Sequence, residues 1–104
     1  MEIQFHGHQT EITDGLRTKA TDGILKLIEH LGREADADVW VGEDGVMKTV
    51  ELVLHAPHYE NLVAKSESKY HETALTDAIA KADKQIRKLK SAKKKQVHAT
   101  ELRA

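Results

Sequence analysis

The stretch from Ala37 to Glu67, ADVWVGEDGVMKTVELVLHAPHYENLVAKSE, decides the fold. Its apolar residues recur at every second position, the period of a strand with one buried face. Ala37 to Gly42 alternates, with Val39 and Val41 opposite Trp40. Glu43, Asp44 and Gly45 make a turn signal. Val46 to Ala56 is a longer strand in which Val50, Leu52, Leu54 and Ala56 share a face. Pro57, His58 and Tyr59 break it. Asn61 to Glu67 follows as another strand, with Leu62, Ala64 and Ser66 on one side. Turns this short join antiparallel neighbours, so the three strands form a meander.

Working outward, Met1 to Gly7 alternates as well, with Ile3 and Phe5 on one face, and reads as a first strand. Thr13 is a good N-cap, with Asp14 in the first helical turn. Leu16, Ala20, Gly23, Ile24, Leu27, Ile28 and Leu31 then recur at three- and four-residue steps, an apolar arc on one helix that Gly32 closes. Gly23 weakens the middle of that helix and marks a close approach to the sheet. Ser68 is placed to cap a second helix, where Leu75, Ala78, Ile79, Ala82, Ile86 and Leu89 form the apolar stripe. Residues 93–104 have no period and read as a basic, flexible tail behind a domain over 1–92. The order β-α-β-β-β-α predicts an α+β fold: a four-stranded sheet with both helices packed on one face.

The chain has 104 residues, 32% of them charged and 39% hydrophobic, which fits one small folded domain. It has no cysteine, which removes disulfides, thiolate metal sites and cysteine nucleophiles. No apolar run reaches the ~20 residues of a membrane span. Met1 to His8 has no signal-peptide core, so the protein reads as cytoplasmic. No GxSxG, Walker or GxGxxG motif occurs; no enzyme, cofactor or small-molecule substrate is implied. With seven histidines and no HxxxH or HExxH spacing, a metal centre is not indicated either. His6 and His8 share a strand face, and His55 and His58 bracket a turn.

The net charge of −1 conceals an asymmetry. Residues 81–95, KADKQIRKLKSAKKK, hold eight basic residues and one acidic, and the rest of the chain is strongly acidic. On the second helix Lys81, Lys84, Lys88 and Lys95 project away from the apolar stripe, with Arg87 and Lys94 on the other flank. On the first, Lys19, Lys26 and Arg33 are seven apart and nearly in line, and Arg17 sits at the edge of the apolar arc. Two parallel helices on one sheet face would set these residues beside a common groove, an arrangement that suits a phosphate backbone. The same residues also fit the ordinary solvated face of two amphipathic helices, a reading that Asp22 and Glu29 favour. On the other sheet face Trp40, Val53 and Val63 make a patch that suits a partner or is covered by neighbouring side chains. Composition and spacing thus leave two further readings open: a general structured-RNA-binding domain, and a protein-interaction module using the open sheet face.

Gly7-His8-Gln9-Thr10-Glu11-Ile12-Thr13, with Leu16-Arg17 and Lys26-Leu27 behind it, resembles the start of the ribosome hibernation promoting factors, also described as ribosome-associated inhibitor A or sigma-54 modulation proteins. Leu62-Val63-Ala64 fits the fourth strand of that family. Lys81-Ala82-Asp83-Lys84-Gln85-Ile86-Arg87-Lys88 resembles its second-helix signature. The resemblance spans residues 1 to about 92 and departs from the family at Gly23, Tyr70 and Glu72. It implies a double-stranded-RNA-binding-domain-like fold with an extra leading strand. It also implies binding to 16S rRNA of the small ribosomal subunit, in the channel of messenger and transfer RNA, with translation inhibited in stress or stationary phase. Arg17, Lys26, Lys81, Lys84, Arg87 and Lys88 are the contacts it implies. The length resembles the short form, without the C-terminal dimerisation domain, for which a monomer is expected away from the ribosome.

Overall fold

The structure, a computed structural model, describes residues 2–57 and 60–103, with side chains as far as Lys90. Its elements are β1 (Ile3–Gly7), α1 (Asp14–Leu31), β2 (Asp36–Asp44), β3 (Met47–His55), β4 (Leu62–Ser68) and α2 (His71–Arg103). The predicted α+β order β-α-β-β-β-α is the one observed. The meander β2-β3-β4 is antiparallel, and β1 joins it in parallel beside β2, giving the sheet order β1-β2-β3-β4. The parallel pair needs a crossover connection, and α1 provides it.

Register aligns the apolar residues in rows. Phe5, Val39, Leu52 and Ala64 are successive partners across all four strands; Val41, Val50 and Ser66 form the next row. On this floor lie Leu16, Ala20, Ile24, Leu27 and Leu31 of α1 and Ala74, Leu75, Ala78, Ala82 and Ile86 of α2, all buried. Each large side chain taken out of water there contributes roughly 1.5–3 kcal/mol. Ser66 is the buried polar residue of the core, 8% exposed.

Thr13 caps α1 as predicted, its hydroxyl accepting from the Leu16 amide at 3.2 Å, and Gly32 ends the helix in the left-handed conformation. Other boundaries move. The β2-β3 turn is Gly45-Val46, not Glu43 to Gly45, because Glu43 and Asp44 pair with Lys48 and Met47. A two-residue hairpin of this kind wants glycine first, and Gly45 has φ +65°. Ser68 does not cap α2; it is the last residue of β4, paired with Lys48, and α2 starts at His71. His58 and Tyr59 of the predicted break after β3 lie outside the described residues.

Gly23 does mark a close approach, but to α2 rather than to the sheet. A Cβ there would lie 2.3 Å from Cδ1 of Ile79. The helices run parallel: Lys19 donates to the Glu72 carbonyl at 3.4 Å and His30 Nδ1 meets Asp83 Oδ1 at 2.7 Å, two pairs with the same sequence offset of 53. α2 is longer than the periodicity predicts, running to Arg103 through the stretch read as an aperiodic tail. The apolar period reports only where a helix is packed. Residues 91–103 hold no Gly or Pro and are rich in Lys, Ala, Gln, Glu and Leu, all good helix formers. No helix among the described residues is long and apolar enough to cross a membrane.

Candidate nucleic-acid interface

Because α1 and α2 lie side by side on one sheet face, their remaining surfaces form a single outer layer. On α1, at ~100° per residue, Lys19 and Lys26 turn toward α2 and Arg17 lies about 180° from Lys26, on the β1 flank, while Arg33 falls beyond the Gly32 cap. The Arg17 guanidinium sits over the Phe5 ring, 5.0 Å from its centroid. Such cation–π contact fixes the side chain over β1. Arg17 therefore does not line the groove between the helices, and the expectation that one groove gathers the basic residues of α1 holds for Lys26 and not for Arg17.

On α2 the basic residues divide three ways. Lys81 reaches over the sheet edge: its ammonium donates to the Lys65 carbonyl of β4 at 2.8 Å, and the Gln85 amide donates to the Val63 carbonyl at 2.8 Å. β4 is an edge strand, and these donors occupy carbonyls that an edge otherwise leaves unpaired. Arg87 pairs with Asp83, Nη2 to Oδ2 3.0 Å, while the other oxygen of Asp83 takes His30 of α1. The Arg87 side chain stays 75% exposed, with further N–H donors pointing outward. Lys84 and Lys88, like Lys26, are exposed and have no partner among the described residues. The outer layer thus presents Lys26, Lys84, Arg87 and Lys88 to solvent, with Lys81 at its rim. Asp22, Glu29 and Asp77 interrupt it.

The opposite sheet face holds a cluster that sequence reasoning missed. Asp38 of β2 receives His6 of β1 on Oδ1 and His55 of β3 on Oδ2, each at 2.8 Å. His55 Nδ1 lies 3.0 Å from Asn61 Oδ1. Hydrogen bonds from His6 first, then from His55, lower the Asp38 pKa. The Asp38 carboxylate, then the Asn61 oxygen, raise that of His55. His55 donates from both ring nitrogens at once only when protonated. In the sequence His6 groups with His8 and His55 with His58, neither with Asp38. Their convergence follows from two registers, the parallel β1-β2 pairing that sets Gln4 against Asp38 and the antiparallel β2-β3 pairing that sets His55 against Asp36, for which a single strand's pattern holds no signal.

Residues 3–94 match the family described as sigma 54 modulation protein / S30EA ribosomal protein. The chain belongs to that family. A relative in this S30EA family, the ribosome hibernation promoting factor of Azotobacter vinelandii, is 31% identical over 97 residues, covering 93% of this chain and 87% of the relative. Two solved structures share the fold. A ribosomal subunit interface protein from Coxiella burnetii superposes with a TM-score of 0.80 at 19% identity, over 88% of this chain and 99% of that one. The N-terminal domain of Thermus thermophilus Protein Y superposes with a TM-score of 0.77 at 21% identity, over 86% and 99%. The S30EA fold is therefore the frame on which the basic helix layer is mounted.

Proposed function

We propose that this protein is a ribosome hibernation factor of the cytoplasm. It binds 16S rRNA of the small ribosomal subunit in the channel used by messenger and transfer RNA, and inhibits translation in stress or stationary phase by occupying that channel. Membership of the S30EA family over residues 3–94 carries this reading. The name of the Azotobacter relative supports it, and so does the helix layer, where Lys26, Lys84 and Lys88 hold free ammonium groups ready to meet phosphates.

The mechanism is electrostatic binding followed by steric exclusion. Each ammonium that docks on a phosphate releases condensed counterions, which supplies affinity without base recognition. Lys26, Lys84, Arg87 and Lys88 make the central contacts. Lys81 and Arg17, already engaged at β4 and Phe5, extend the footprint at its two rims. No bond is made or broken, so inhibition should follow occupancy in proportion.

A competition assay tests this. Purified protein added to small subunits should displace a bound messenger RNA and its P-site transfer RNA, and cell-free translation should fall over the same concentration range. Binding to free structured RNA with no preference for small subunits would instead mark a general RNA-binding domain. Undisturbed messenger and transfer RNA on subunits saturated with the protein would overturn the channel assignment.

A further inference from the structure

The sheet face away from the helices is unpartnered and carries the molecule's single tryptophan. Trp40 and Val63 are each 47% exposed, and Val53 stands beside Val63 in the ladder. His6 stacks on Trp40 with ring centroids 4.0 Å apart. Two shallow depressions flank this apolar strip. One of about 200 Å³ is lined by Glu2, Asp36, Asp38 and His55. The other, about 180 Å³, is lined by Trp40, Glu43, Glu51 and Lys65. Asp38 is engaged by two histidines and Glu43 by Lys48. Glu2, Asp36 and Glu51 form no ion pair among the described residues, although Lys65 stands across the ladder from Glu51 and His55 across from Asp36.

We propose that this face docks an extended, arginine- or lysine-bearing polypeptide segment, with its apolar side chains on Trp40, Val53 and Val63 and its cations in the two carboxylate-lined depressions. Charge complementarity selects this occupant. Carboxylates repel a phosphate backbone and attract guanidinium and ammonium groups, so the face is opposite in sign to the helix layer. The depressions are centred about four residues apart along β2, or ~13 Å at the rise of a strand. Cationic side chains four residues apart on an extended segment point to the same side and span that distance. Arginine fits better than lysine, since its flat guanidinium can both lie against exposed indole surface and fork onto a carboxylate such as Glu51. The inference rests on this face alone and is independent of the RNA contacts proposed for the helices.

Trp40 emission reports the face directly in the full-length protein. The probe is a blocked peptide of alternating valine and threonine carrying two arginines four residues apart; its counterpart carries glutamates in their place. The arginine peptide should change Trp40 emission saturably and less so at high salt, and the glutamate peptide should not. Asp36→Asn with Glu51→Gln should weaken the response about tenfold, the loss of charge-assisted contacts. Lys84→Glu, on the other side of the molecule, should leave it unchanged. No saturable change at millimolar peptide, or equal responses to both peptides, would overturn the proposal. So would a response to a short RNA in place of the arginine peptide. Emission that depends on protein concentration without peptide would assign the face to a second copy of the chain, and would overturn it too.

Discussion

At Asp38 a single carboxylate ties three strands together. His6 comes from β1, His55 from β3, and Asn61 holds the far nitrogen of His55 just ahead of β4. The network has a pH signature. The folded protein raises the His55 pKa above its ordinary 6.5, through Asp38 first and Asn61 second. That contribution is complete below 6.5 and is lost as pH rises through the raised folded value. Asp38 is lowered from 3.8, so its contribution is present above 3.8 and is lost as pH falls through the lowered value. The window of greatest benefit therefore lies between those two ordinary values. His55→Gln should cost stability inside the window and progressively less above it. The His55 side chain is 40% exposed, so solvent screening holds the effect to ~1 kcal/mol or less. Thermal melts of both proteins at about pH 5.5 and 8.5 check the sign, since only the lower value lies in the window. A His55 imidazole titrating at or below 6.5 by NMR would contradict it.

At the scale of elements, Gly23 and Ile79 set how closely α1 and α2 pack. An added Cβ at Gly23 would gain about 1 kcal/mol of helix propensity but would meet the Ile79 side chain. Gly23→Ala alone should therefore yield little or be destabilising, whereas in an Ile79→Val background, where Cδ1 is gone and Cγ1 remains at 3.2 Å, the same change should cost less. The coupling should be about 1 kcal/mol in a double-mutant cycle of denaturant melts. Lys81 and Gln85 join α2 to the edge of β4. Lys81→Met should cost ~0.5–1.5 kcal/mol, the net value of the hydrogen bond to the Lys65 carbonyl. Lys84→Met, at a free lysine, should stay within ~0.5 kcal/mol. Equal melts for the two lysine variants would mean that the edge contact contributes nothing.

These contacts also mark where the sequence stops being legible. Strand alternation and helical spacing are local, so they place Val39, Leu52, Leu27 and Ile86 in the core correctly. They place Lys81 on an exposed face, which is true, but its ammonium's partner belongs to another strand. Gly23 reads as a close approach without saying to what. The Asp38 cluster, built from pairings of β2 with both of its neighbours, gives no local sign at all. At the helix layer, Lys26, Lys84 and Lys88 emerge as expected solvent-facing cations because projection from the axis depends only on spacing.

As a whole the molecule is two-sided. Its helix layer is basic, interrupted by a few carboxylates, and its open sheet face is acidic around Trp40. That polarity would let a chain of net charge −1 bind a polyanion: the field that a phosphate backbone meets is that of one face, since charges on the far side are largely screened beyond ~10 Å. In the proposed function, the helix layer binds the small ribosomal subunit by neutralising phosphates. The most direct test is the affinity of the purified protein for small subunits, measured across a salt series beside the triple variant Lys26→Glu, Lys84→Glu, Lys88→Glu. With about six phosphates neutralised, native affinity should fall roughly 10³-fold between 50 and 200 mM salt, and the triple variant should bind more weakly with a slope about three contacts shallower. An affinity that stays flat across that series, or a triple variant that binds as tightly as the native protein, would contradict the account.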